Sequence, residues 1–470
     1  MSDKPIAQQL AEIGVALKYE DIDRRTIDNA KIFMLDCIGT MLSGRQTESA
    51  KSITAAAAAV GGTEDCTVAG RPERTNVMFA ALINGTSGHS QDYDDDHREG
   101  IQHSSVAVLP AVLALGEKHK KSGKDVLVAY IFGSDVTIRA GEAFLGYTFY
   151  GIWHPTGTCG VFGAAAGASK VLGLNVRQTT YALGVAGSES AGIGEFNEVG
   201  AWTKRFHAGR SAMGGVLAAY MGQNYFFGPP TVFEGRHGFF RAFSFKGSAE
   251  DPRPDGIYDL SKLTDNFGKK WEMADISIKL HSCCRFSNNY CDCAIDIHNQ
   301  GVDVTQIESI HADCNQFAIN NVCAPEEMKR HPKNIVNAQF SLPYVIAVGL
   351  IKGKVLPESF TEESITDPAA NALCDKTTWS LDKEFEAVYP AYYPARVTVK
   401  TKDGKTYVGE VKYPKGDPEN PATKEEVIEK FLANASDSIG SVNARKIIDT
   451  VFAIEELDDI SKLMELTRGG

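Results

Sequence analysis

Side chains too small to hold neighbouring backbones apart dominate the first half of this chain. Ala55 to Ala59, Ala80 with Ala81, the run Val161-Phe162-Gly163-Ala164-Ala165-Ala166-Gly167-Ala168, and Gly184-Val185-Ala186-Gly187 all share this texture. Helices built from such segments approach closely, which constrains that half to a tight helical bundle with little room for large aromatics. Each apolar stretch is cut by Gly, Lys or Asp well before the roughly 18 residues of a membrane span, so these are read as buried helices.

Periodicity agrees. Ile6, Leu10, Ile13 and Leu17 share one helical face behind a Ser2/Asp3 cap with Pro5 in the first turn, and Ile27, Phe33, Met34, Ile38 and Leu42 carry the pattern to Gly44. Further helices are predicted at Asn76 to Ile83, Val106 to His119, Lys124 to Ala140, Gly160 to Leu172, Arg177 to Val185 and Ser211 to Phe226, with no strand before about residue 270. The texture then changes. Gln306 to Asp313 alternates, Val336 to Leu350 reads as helix, and Ala395 to Lys412 reads as two strands around Asp403-Gly404, a strong hairpin signal. After the proline-rich break from Pro414 to Pro421, Thr423-Lys424-Glu425-Glu426 forms a capping box and helix resumes to Leu466. The expected fold is mainly α with an α+β second domain. Residues 1–268 and 415–470 would build a discontinuous helical domain from both chain ends, with residues 269–414 as a smaller α+β domain.

Composition bounds the function. At 470 residues and 43% hydrophobic, the chain can bury sizeable cores. A net charge of −12, with acids and bases mixed throughout, argues against nucleic acid as the partner. The first residues lack a basic stretch followed by an apolar one, so the expectation is a cytoplasmic protein with its ten cysteines reduced.

Chemistry concentrates in two histidine-bearing, glycine-rich segments. One runs from Gly88-His89 through Asp92, Asp94, Asp95, Asp96 and His97 to His103; the other is Trp153-His154-Pro155-Thr156-Gly157-Thr158. Paired histidines are suited to proton transfer. The acidic run could chelate a hard cation, but its spacing fits no EF-hand and adjacent side chains cannot all face one ion. The favoured reading has one or two of these carboxylates orienting His103 or a substrate hydroxyl. His154 sits among Gly151, Gly157 and Gly160 just before a helix, where backbone N–H groups would offer an anion site. Lys204, Arg205, His207 and Arg210 put cations just ahead of the next helix, as a cradle for a substrate with two or three carboxylates; Lys279 and Arg285 would form its other wall. Cys283-Cys284 and Cys291-Asp292-Cys293 fit structural zinc poorly and are read as buried thiols. No dinucleotide, P-loop or serine-hydrolase motif is present.

Taken in order, Asn84-Gly85, His89-Ser90 with Asp92, His103-Ser104-Ser105 on to Pro110, Trp153-His154-Pro155, Lys204 with Phe206-His207-Ala208-Gly209, and Lys279 with Cys283-Cys284-Arg285 resemble the MmgE/PrpD family. Its members dehydrate 2-methylcitrate, decarboxylate cis-aconitate or epimerise iminodisuccinate. The resemblance covers nearly the whole chain. It implies an all-helical domain from both chain ends, a smaller α+β lid domain, a homodimer, no metal or organic cofactor, and a small polycarboxylate substrate. By position, Asp92, His103, His154 and Lys204 match the family's active-site aspartate, two histidines and lysine, with Asp92 orienting a histidine. Asp96 falls where decarboxylase and 2-methylcitrate dehydratase members carry threonine, and one extra residue separates Asp92 from His103. Cys284 stands where a decarboxylase would place histidine, and no tyrosine lies between Val322 and Lys333. The implied function is a lyase, foremost a hydro-lyase, with epimerisation or decarboxylation at the same site as the alternatives. A non-catalytic metal- or ligand-binding protein is the reading outside enzymes.

Overall fold

A computed structural model describes residues 4–145, 152–244 and 257–469. Ser2, Asp3 and Gly151, which entered the readings above, lie outside the described residues. The first helix, Ile6–Ala16, starts on Pro5.

Arg24–Gly44, Val77–Gly88, Ser104–Lys118, Gly123–Glu142, Gly160–Leu172, Val176–Glu189 and Thr203–Gln223 form the bundle, and the small residues explain its tightness. A Cβ added at Gly209 would stand 2.1 Å from the Leu82 carbonyl oxygen, and one at Gly163 would stand 2.2 Å from that of Gly133. Only hydrogen fits at those crossings, so Thr203–Gln223 lies backbone against backbone on Val77–Gly88. The apolar core of this bundle also takes Trp271, Met273, Ile276 and Ile278, across the boundary expected at residues 268 and 269.

The C-terminal part returns to this bundle. Thr423 caps the helix Lys424–Phe452: its hydroxyl accepts from the Glu426 N–H at 3.1 Å, while Glu426 accepts from the Thr423 N–H at 2.7 Å. Phe431, Ile447 and Val451 join the same core. Beside Phe431, the buried Lys430 pairs with Asp36 at 2.6 Å and donates to the carbonyls of Tyr93 and Lys279, both at 2.8 Å. Gly440, at φ +76°, breaks the helix where a side chain would be strained.

A second core holds a four-stranded sheet. Its order is Thr377–Leu381, Ile307–Cys314, Ala395–Thr401 and Thr406–Val411, with the first pair parallel and the others antiparallel. The hairpin turns where expected, with Gly404 at φ +81° and Asp403 accepting from Thr401 Oγ1 at 2.5 Å. Arg285–Asn299 lies across the hairpin, its Cys293 carbonyl so close to Gly409 that a Cβ there would meet it at 2.3 Å.

Several expectations are corrected. Cys66–Thr67 pairs with Arg74–Thr75, a two-residue ladder too short to carry an alternation signal. The helix predicted over Val336 to Leu350 is two, Ile335–Gln339 and Leu342–Lys352, because Ser341 accepts from the Tyr344 N–H to cap a new start and Pro343 suits only a first turn. The edge strand Thr377–Leu381 was not anticipated, and the helix predicted from Ser211 begins at Thr203. Among the described residues, no helix is long and apolar enough to cross a membrane.

Candidate active site

The helix Val77–Gly88 delivers the chain to a loop from His89 to His103 that is buried except around Gln91, Arg98 and Glu99. The loop is pinned twice: Asp96 and Ser277 exchange backbone hydrogen bonds at 2.9 and 2.7 Å, and the His97 N–H donates to the Gln102 carbonyl at 2.8 Å. Asp92 holds φ +51°, an uncommon left-handed turn for a residue with a side chain, which parts its carboxylate from those that follow.

Each carboxylate of the run has its own partner. Asp92 accepts from Lys279 Nζ at 2.6 Å and from Lys204 Nζ at 3.0 Å. Asp94 accepts from His89 Nδ1 at 2.8 Å and lies 3.1 Å from His103 Nδ1. Asp95 accepts from the Ser105 hydroxyl, and Asp96 pairs with Arg285 at 3.2 Å. The expectation that Asp92 orients a histidine is therefore corrected: Asp94 does so, and Asp92 holds two lysines. Burial alone would raise the Asp92 carboxyl, but Lys204 and Lys279 outweigh it and hold the group below the usual carboxylate range. For Asp96, burial outweighs Arg285 and the carboxyl is raised.

His103 Nδ1 also lies 2.8 Å from the Asp95 carbonyl, which can only accept, so Nδ1 bears a proton and Nε2 is the nitrogen left for chemistry. The His103 backbone N–H donates to Thr156 Oγ1 at 3.1 Å, tying the two histidine segments together. His154 Nδ1 lies 3.0 Å from His207 Nδ1. Burial, then the His207 ring and Lys204, pushes His154 well below its ordinary value, and burial with Lys204 and Arg210 takes His207 down to about 4. Burial likewise takes His89 down to about 3, so it is a neutral donor to Asp94. The backbone N–H groups of Gly157 and Thr158 donate to the His154 carbonyl, at 2.9 and 3.1 Å, which removes them from the anion site expected there.

These groups surround a cavity lying where the helical bundle meets the second core. Of the predicted residues, Asp92, Asp96, His103, His154, Lys204 and Arg285 line it. The other four do not. Lys279 lies beneath Asp92, His207 behind His154, Arg205 donates to Gln339 at 3.1 Å beside an adjoining cleft, and Arg210 pairs with Glu189 at 3.3 Å. For Arg205 and Arg210 the cause is the helix phase: residues from Thr203 onward radiate at about 100° each, so these two leave the side that Lys204 presents to the cavity. Sequence reasoning missed Gln102, Asn321, Phe340 and Tyr393, which also line it, together with the apolar Ile101, Phe196 and Phe286. Gln102, next to His103, was the one that proximity could have found. Asp417, which accepts from Arg285, carried no motif. Cys283 and Cys291 sulfurs lie 3.7 Å apart, while Cys284 faces the cavity with its thiol pushed by burial to about 12.

Comparison with known proteins places this geometry. The MmgE/PrpD N-terminal domain profile matches residues 8–251 and the C-terminal domain profile residues 281–456. The chain belongs to the MmgE/PrpD family. A cis-aconitate decarboxylase-like protein, oryM, from Aspergillus oryzae is 30% identical, covering 99% of this chain and 97% of the relative. Cis-aconitate decarboxylase from Aspergillus terreus is 27% identical over 98% of this chain and 95% of its own, and that from Homo sapiens 28% over 99% and 95%. The N-terminal match takes in both histidine segments and Lys204, and the C-terminal match the sheet and Arg285. This MmgE/PrpD protein is an enzyme of the lyase kind.

Proposed function

We propose that this MmgE/PrpD protein is a hydro-lyase that needs no cofactor and acts on a small di- or tricarboxylate by proton transfer next to a carboxylate. The observation that carries the reading is His103: its Nδ1–H is held by the Asp95 carbonyl and Asp94, and its ring lines the cavity that Lys204 also enters. In this mechanism His103 Nε2 takes the proton from the carbon beside a carboxylate. The C–H electron pair passes into that carboxylate as an enolate, whose added charge Lys204 stabilises while Asp92 fixes the ammonium. The electrons return to form the double bond, and the β-hydroxyl departs as water with the proton that His103 has just taken, so His103 ends neutral as it began, while His154, held by His207, lines the same cavity.

Decarboxylation is the second reading, favoured by the full-length similarity to cis-aconitate decarboxylases. Cys284 in the pocket wall, where that branch would place histidine, counts against it. The test is proton NMR in D₂O with citrate, 2-methylcitrate, malate, tartrate, cis-aconitate and iminodisuccinate. Water loss from a hydroxy acid is the expected result; carbon dioxide from cis-aconitate would replace it with the second reading. Neither product, with no exchange at any carbon-bound proton, would overturn both.

A further inference from the structure

Three histidines crowd one spot. His89, His103 and His154 are all buried, and one ring nitrogen of each lies within 4.8 Å of those of the other two. The proton transfer described above uses His103 and gives the second nitrogen of His89 nothing to do. His89 Nε2 is buried and, among the described residues, has no hydrogen-bond partner. A buried lone pair without a donor is costly unless a ligand takes it up.

The rings are braced as metal-ligating imidazoles are braced. His89 Nδ1 donates to Asp94 at 2.8 Å, and His103 Nδ1 faces the Asp95 carbonyl at 2.8 Å and Asp94 at 3.1 Å. Acceptors on Nδ1 fix the ring and its tautomer and leave Nε2 for an ion. His154 is braced by His207, whose Nδ1 lies 3.0 Å from its own. His97, Glu142 and Glu272 come equally close together but differ in this respect. The Gly100 N–H donates to His97 Nδ1 at 3.1 Å, so the neutral ring carries its proton on Nε2, the nitrogen that faces Glu142. The acidic run is no better suited to a hard cation, because its carboxylates are already taken by Lys204, Lys279, His89, Ser105 and Arg285.

We propose that His89, His103 and His154 form a site for a borderline divalent transition ion, zinc or cobalt, that shuts the enzyme off. Three imidazoles with an open fourth position are a ligand set that zinc takes. At a Zn–N distance of about 2.1 Å the three nitrogens stand roughly 3.4 Å apart, so the rings close by roughly 1 Å around the ion. Asp94, directly behind two of the ligands, answers the ion's charge, while the opposing ammonium of Lys204 is held by Asp92. The ion occupies the His103 lone pair that takes the carbon-bound proton, so metal binding and proton transfer exclude each other. The blocking rests on His103 as the base; the binding does not.

Zinc and cobalt added to the chelator-treated full chain test it, with turnover followed on whichever acid reacts by NMR. Calorimetry is expected to show one ion per chain, cobalt the strong visible absorption of a low-coordinate ion, and turnover a fall in step with occupancy that a chelator reverses. His89→Gln removes a ligand and should weaken cobalt binding by about a hundredfold or more; Asp94→Asn keeps the shape, loosens two ligands and should weaken it by about tenfold or more. Should His89→Gln fail to fold, Asp94→Asn carries the test. His311→Ala, at an exposed histidine of the sheet, should leave binding unchanged. No binding in the micromolar range, or binding indifferent to both site variants, overturns the site. Binding that depends on both variants yet leaves turnover intact overturns the blocking and removes His103 as the base. Turnover that requires the ion overturns the blocking and the cofactor-free reading together.

Discussion

Asp92, Asp94, Asp95 and Asp96 sit side by side in sequence and do four different jobs, because each meets a different partner within hydrogen-bond or ion-pair reach. Their substitutions should therefore separate. His103→Gln is expected to lower kcat by about a hundredfold or more with an unchanged unfolding midpoint, the usual contribution of a positioned base; near-native turnover would remove His103 from the mechanism. Asp94→Asn keeps the shape but weakens the hold on His103, so a smaller drop in kcat, with an altered pH–rate profile and little change in KM, is expected. The buried imidazoles also set an acid limit. His89 and His97 are taken down to about 3 and His207 to about 4 by burial, whereas each titrates near 6.5 once unfolded. The unfolded chain thus takes up these protons first, so their stability is intact above about pH 6.5 and drains as pH falls toward the folded values. At about pH 5 each withdraws roughly 2 kcal/mol, and the midpoint of thermal unfolding should fall steeply between neutrality and that pH. A flat profile would show that these histidines take up protons as readily in the fold as in the unfolded chain.

Among the elements, Thr203–Gln223 decides which predicted cations reach the cavity. It can lie on Val77–Gly88 only because Gly209 has no side chain, so Gly209→Ala should cost about 1–3 kcal/mol by calorimetry and reduce activity by displacing Lys204. Full stability in that variant would mean the crossing has slack. The same helix shows where sequence legibility ends. Residue types and order announced Asp92, His103, His154 and Lys204, and the small-residue runs announced the bundle. One helix start placed eight residues late was enough to misdirect Arg205 and Arg210, since facing depends on phase rather than on composition. Asn321, Phe340 and Tyr393 reach the cavity from segments distant in sequence, where no local pattern marks them. The hairpin around Gly404 and the cap at Thr423 were readable because their causes are local.

At the scale of the whole molecule, the two chain ends are joined through Lys430, whose ammonium answers Asp36 and two carbonyls deep in the protein. Lys430→Met leaves Asp36 buried without its cation, and a loss of about 3–5 kcal/mol in denaturant unfolding is expected; a change below about 1 kcal/mol would show the pair to be dispensable. The homodimer stands as a proposal. Tyr225, Phe226 and Phe227 are each more than half exposed, a cluster of aromatics that a second copy could cover, and light scattering at twice the chain mass is the expected outcome. A monomeric mass would overturn it. The Lys430 contacts also bear on biosynthesis. The carbonyls it grips belong to Tyr93, next to the Asp92 carboxylate, and to Lys279, that carboxylate's own counter-ion. A chain growing on the ribosome makes both long before it makes residue 430. On this arrangement the pocket is set only after nearly all the protein has been translated, so a nascent chain carries every active-site residue and has no fixed site in which to use them.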